Sequence, residues 1–106
     1  MFKGMGDMAG MLKQAQKMQK EMGRVQSELK ERVVEGASGG GAVKAFVNGQ
    51  QELLSIKIDP AAIDPADASM LEDLVVTAVQ NALKASRELM QAEIGKVTGG
   101  MGIPGL

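Results

Sequence analysis

Apolar side chains recur every three or four residues between positions 8 and 33, at Met8, Leu12, Ala15, Met18, Met22, Val25, Leu29 and Val33. That spacing follows the 3.6-residue helical period and predicts a first helix over residues 8–33. At 1.5 Å per residue it would be ~39 Å long. A chain of 106 residues cannot bury such a helix, so much of it must meet a partner or water. Residues 1–6 show no periodicity and read as a frayed tail.

After Arg32 the period changes to two. Residues 33–37 read as a short strand, Ser38-Gly39-Gly40-Gly41 as a flexible connection, and residues 42–47 and 52–58 as the strands of a hairpin. Asn48-Gly49 predicts a two-residue type I′ turn, in which both central residues need φ > 0. Val47 would then face Gln50, Ala45 would face Glu52 and Val43 would face Leu54. Val43, Ala45, Val47, Leu54, Ile56 and Ile58 would share one face. The opposite face would carry Lys44, Phe46, Leu53, Ser55 and Lys57. Phe46 and Leu53 there read either as a partly exposed pair or as a second buried surface against another subunit.

Asp59-Pro60 ends the hairpin, and Asp64-Pro65 predicts a capped turn. Ser69 and Glu72 fit a capping box opening a second helix that runs to about Gly95, with Thr98-Gly99-Gly100 as its stop and residues 98–106 as a flexible tail. Leu71, Val75, Ala78, Ala82 and Leu89 form one stripe of this helix; Val76, Val79, Leu83, Met90, Ile94 and Val97 form another. Two stripes imply two packing partners, the sheet and a surface beyond it. The whole is one α+β domain over residues 1–106, in the order α-β-β-β-α. Its small antiparallel sheet is shorter than the helices, so both should project past it.

Composition narrows the function. The chain has no cysteine, histidine, tryptophan or tyrosine, which removes thiol and imidazole nucleophiles, the usual zinc and haem ligands, and disulfides. The acidic set Asp59, Asp64, Asp67, Glu72 and Asp73 lacks the spacing of a calcium loop and reads as turn and cap residues. Gly39-Gly40-Gly41 lacks the lysine and helix start of a phosphate loop. No acid and base pair up, so the expectation is a protein that is no enzyme and has no metal, cofactor or small-molecule substrate. No apolar run reaches about 18 residues, and the apolar side of the first helix has only Phe2 and Leu12 as bulky anchors; a soluble cytoplasmic protein with no membrane partner is expected.

Charge is more telling by position than in sum. The net charge is −1, yet residues 1–24 hold Lys3, Lys13, Lys17, Lys20 and Arg24 against only Asp7 and Glu21. Lys13, Lys17, Lys20 and Arg24 follow i, i+4, i+7, i+11 and form a cationic line roughly 16 Å long. Such a line can meet a phosphate backbone. It can equally be a solvated face tied up in pairs such as Lys17–Glu21 and Arg24–Glu28. Lys84 and Arg87 on the second helix repeat the pattern more weakly. Six of the nine methionines lie within residues 1–22, which suits core or dimer packing, or an adaptor helix that docks a partner protein.

Several motifs together are familiar in this order: Asn48-Gly49 with Glu52-Leu53, Ile56-Lys57-Ile58-Asp59-Pro60, Met70-Leu71-Glu72-Asp73-Leu74-Val75, and Gly99-Gly100-Met101-Gly102-Ile103-Pro104-Gly105. With Met11, Gln14, Ala15, Met18 and Gln19 on the first helix, the whole chain resembles the YbaB/EbfC family of bacterial nucleoid-associated proteins. The resemblance implies a cytoplasmic homodimer whose long helices project like the arms of tweezers and bind double-stranded DNA. The matching positions are Lys13, Lys17, Lys20, Arg24, Lys84 and Arg87. For a dimer interface, the strand-face pair Phe46 and Leu53 and the second-stripe residues Val76, Val79 and Leu83 are the candidates.

Overall fold

A computed structural model describes the backbone of residues 2–100 and the side chains of residues 8–99. Three strands, β1 (Val33–Ser38), β2 (Val43–Asn48) and β3 (Leu53–Ile58), form an antiparallel meander in the order β1-β2-β3. A 30-residue helix, α1 (Phe2–Glu31), precedes them and a 33-residue helix, α2 (Ala68–Gly100), follows. The α-β-β-β-α order is the one the periodicities imply. The molecule is far from spherical: its radius of gyration is 20.9 Å and its long axis 78 Å, against a radius of about 13 Å for a compact domain of this length.

The core lies between α2 and the central strand. Val43, Ala45 and Val47 of β2 and Ala78 and Ala82 of α2 are fully buried, with Val34, Ile58, Leu71, Leu74, Val75, Val79 and Leu83 packed around them. Small residues let helix and sheet approach closely. A Cβ on Gly36, which pairs with Ala45, would lie 2.1 Å from the backbone nitrogen of Ala82 and 2.5 Å from the carbonyl of Ala78. Only glycine fits there. α2 packs on β1 and β2 and leaves β3 largely uncovered, so Leu53, Leu54 and Ile56 are 48%, 53% and 37% exposed.

The hairpin departs from the expected two-residue turn. Its loop has three residues, closed by the Asn48 amide donating to the Glu52 carbonyl at 3.0 Å and the Gln51 amide to the Asn48 carbonyl at 3.1 Å. Gln51 takes the left-handed position at φ 64°, as the last residue of a three-residue hairpin loop commonly does. Gly49 serves another purpose: a Cβ there would stand 2.7 Å from the Leu29 carbonyl. Val43 pairs with Ile58, Ala45 with Ile56 and Val47 with Leu53, and a bulge beside Phe46 and Val47 leaves Leu54 out of register. Leu54, not Leu53, therefore joins Val33, Phe46, Ser55 and Lys57 in a shallow groove on the face away from α2.

Other local expectations are revised for equally concrete reasons. The glycine triplet is a defined turn, with φ of 59°, 68° and 97° at Gly39, Gly40 and Gly41, a left-handed run that residues with a Cβ disfavour. The start of α2 is capped by Asp67, whose carboxylate accepts from the Met70 amide at 3.2 Å, in place of the Ser69/Glu72 box. Asp64 caps its own turn through the Ala66 amide. α2 runs past Gly95 to Gly100, and the Thr98 hydroxyl donates back to the Ile94 carbonyl at 3.3 Å and the Gly95 carbonyl at 3.2 Å. Helical backbone also extends back to Phe2 in α1. The tail expectations at Met1 and residues 101–106 lie outside the described residues.

Candidate nucleic-acid interface

Two anchors fix the direction of the long helices, and both sit at the hairpin loop. The Gly49 amide donates to the Leu29 carbonyl at 2.8 Å and the Arg32 carbonyl at 3.0 Å, which ties the end of α1 to the loop. The Gln50 side-chain amide adds a bond to the Gln26 carbonyl. On the other side, the buried Ser86 hydroxyl donates to the Asn48 carbonyl at 2.7 Å and accepts from the Gln51 amide at 3.1 Å, which ties the middle of α2 to the same loop. Asn48, 3% exposed, holds the loop shut by accepting from the Gln50 and Glu52 amides and donating to the Glu52 carboxylate. Arg32, just past the end of α1, then pairs with Glu93 of α2 at 3.2 Å. Lys96 and Arg32 hold the Glu93 carboxyl below its ordinary pKa, the Lys96 hydrogen bond contributing most.

From this node α1 runs outward as an arm. Among its described side chains Val25 and Leu29 are the buried ones, while Met8, Met11 and Leu12 further along are 71%, 68% and 61% exposed. Lys13, Lys17, Lys20 and Arg24 are exposed and, at about 100° per residue, form a line centred about 130° round the helix from Val25 and Leu29. Their charges are not equally available. Among the described residues no carboxylate forms an ion pair with Lys13, Lys17 or Lys20, whereas Arg24 is held by two. Its Nε and Nη2 donate to Glu21 Oε2 at 3.1 and 2.8 Å, and its Nη1 donates to Glu28 Oε1 at 2.7 Å. These bonds, Glu21 first, raise the Arg24 pKa above its usual value.

Lys84 and Arg87 are exposed on α2, close in sequence to the loop-facing Ser86. They lie on the sheet side of the Arg32–Glu93 bridge, whereas the lysine line lies on the arm side. Within one chain they form two cationic groups. Of the residues considered for self-association, Leu53 and Val76 are exposed, Phe46 is half-buried beneath Lys57 with its ammonium 5.7 Å from the ring centre, and Val79 and Leu83 pack partly against the core. Sequence reasoning missed Ser86, although a small polar residue four beyond Ala82 on a buried stripe is the signal that could have found it. Among the described residues no group of three or more acidic side chains is arranged to hold a metal ion, and no helix is long and apolar enough to cross a membrane.

Most of the chain's length lies in two long helices, and one of them carries a row of exposed lysines. The model of the YbaB/EbfC DNA-binding family matches residues 5–101, and the chain belongs to that family. It is 49% identical to a nucleoid-associated protein of Alkaliphilus metalliredigens over 99% of this chain and 95% of that one. It is 54% identical to a nucleoid-associated protein of Moorella thermoacetica over 96% and 98%. These are names of a DNA-binding family, not of an enzyme family. Among solved structures, an uncharacterised protein of Helicobacter pylori superposes with a TM-score of 0.65 at 26% identity, covering 80% of this chain and 86% of that one.

Proposed function

We propose that this protein binds double-stranded DNA as a homodimer in the nucleoid, laying Lys13, Lys17 and Lys20 of each α1 arm along the phosphate backbone. The observation that carries this reading is a row of three exposed lysines, without carboxylate partners among the described residues, on an arm that packs against the rest of the chain through Val25 and Leu29 near its base. Their span of about 10 Å equals roughly three base steps of 3.4 Å along one strand. Backbone contact carries no sequence information, so any sequence preference is modest, in keeping with roles in chromosome organisation and gene regulation. Lys84 and Arg87 supply a second, shorter cationic patch.

Two-fold assembly is supported by the apolar surface that one chain leaves uncovered. β3 is an open edge with Leu53, Leu54 and Ile56 exposed, and Val33 and Phe46 line a groove with Leu54 on the sheet face away from α2. An open apolar edge invites pairing with another chain, and burying it against a second copy removes that exposure. A dimer then presents six arm lysines, which outweighs a net charge of −1 per chain at the point of contact.

The test is a gel shift on unrelated duplexes together with the mass in solution. The wild-type protein is expected to be a dimer that shifts all duplexes comparably, and the Lys13→Gln/Lys17→Gln/Lys20→Gln variant a dimer of equal stability that binds at least tenfold more weakly. Undiminished binding by that variant would move the contact elsewhere. Exposed Met8, Met11 and Leu12 favour one other reading, an adaptor whose arm docks a partner helix. Salt-insensitive capture of a protein, with no DNA shift, would support it.

A further inference from the structure

The cationic line contains a cation that is already spoken for. Arg24 gives one N–H from each of its three guanidinium nitrogens to Glu21 and Glu28. The three side chains are 52%, 39% and 55% exposed, so the cluster stands at the surface of the arm, next in line to the free lysines. Taken as a unit it carries one net negative charge. A phosphate approaching Arg24 finds three of its five N–H donors taken and two carboxylates beside it, whose charge repels the phosphate. Lys20, one helical turn away, has no such partners among the described residues.

Resting on the DNA-binding reading above, we propose that Glu21 and Glu28 restrain the arm's affinity by holding the Arg24 guanidinium off the phosphate backbone, leaving the contact to the lysines. The two glutamates are positioning residues in this scheme, acting on DNA through Arg24 and through their own charge. The consequence is a protein that binds DNA more weakly and with a shallower salt dependence than its count of basic residues suggests. Weak attachment suits a protein that must move along or leave the chromosome.

The test is a cycle of four proteins, wild type, Arg24→Gln, Glu21→Gln/Glu28→Gln and the triple variant, titrated with one duplex at several salt concentrations. Glutamine preserves side-chain shape, and helix content measured by circular dichroism checks that the arm is intact. Arg24→Gln is expected to bind within about twofold of wild type. Glu21→Gln/Glu28→Gln is expected to bind about tenfold tighter, with a slope of log K against log salt steeper by about 2, as two more phosphates are engaged per dimer. Adding Arg24→Gln should abolish most of that gain. A purely structural role for the triad would move affinity the other way, because loosening the helix weakens binding. The proposal is overturned if Arg24→Gln weakens wild-type binding tenfold, or if it costs the same factor in both backgrounds. A Lys17→Gln/Lys20→Gln control separates the two levels: if that variant binds like wild type, the DNA-binding reading fails and this one with it. If it loses binding while the cycle is additive, only the restraint fails.

Discussion

The same residue type behaves in opposite ways at the two ends of this molecule. Gly36, in the platform of sheet and α2, is pressed against helix backbone so closely that a Cβ would stand 2.1 Å from a neighbouring nitrogen, whereas a Cβ on Gly23, on the α1 arm, would meet nothing within 4 Å beyond its own turns of helix. The platform is defined by close packing, with Val43, Ala45 and Val47 of β2 and the Ala78/Ala82 track fully buried. The arm is a helix with one side lightly anchored and the rest in water. Sequence change is therefore costly in the platform and cheap in the arm, which leaves the arm free to carry charge chosen for a partner.

Substitutions sharpen that contrast. Gly36→Ala should be the most damaging, because the new methyl meets backbone that cannot move without lifting α2 off the sheet. A loss of about 3 kcal/mol or more is expected in denaturant unfolding. Ser86→Ala leaves the Asn48 carbonyl and the Gln51 amide without their buried partner and should cost about 2 kcal/mol. It should also loosen the angle between the arms, since both helices depend on that loop. Gly23→Ala should have the smallest effect and the opposite sign, a gain of about 0.5–1 kcal/mol from better helix propensity in open space. Equal losses at Gly36 and Gly23 would break the distinction between platform and arm.

What could be read from the sequence follows the same division. Helical periodicity needs only the local pattern, so both long helices and the order of elements were legible from residues such as Met18, Met22, Val25 and Leu29. The hairpin's existence was legible from Asn48-Gly49, but its register was not. The bulge at Leu54 depends on how Val47 and Phe46 seat against opposite surfaces, which a period-two pattern does not encode. Gly49 read as a residue needed for positive φ; it is needed because Leu29 comes too close for a side chain. Ser69 and Asp67 both offer a cap, and the structure uses Asp67.

At the cationic site, the line from Lys13 to Arg24 was visible as spacing. Which members are free was not. Glu21 and Glu28 lie three and four residues from Arg24, and Glu21 lies within a turn of Lys17 and Lys20 as well, so sequence distance alone leaves the choice of partner open. The longer, forked guanidinium reaches both carboxylates at once.

The most direct measurement for the central claim is the salt dependence of DNA affinity for the intact protein on one duplex. Six arm lysines neutralising six phosphates give an expected slope of log K against log salt of about −5. A flat response, with affinity unchanged between low and physiological salt, would contradict the claim that these arms hold DNA by its backbone.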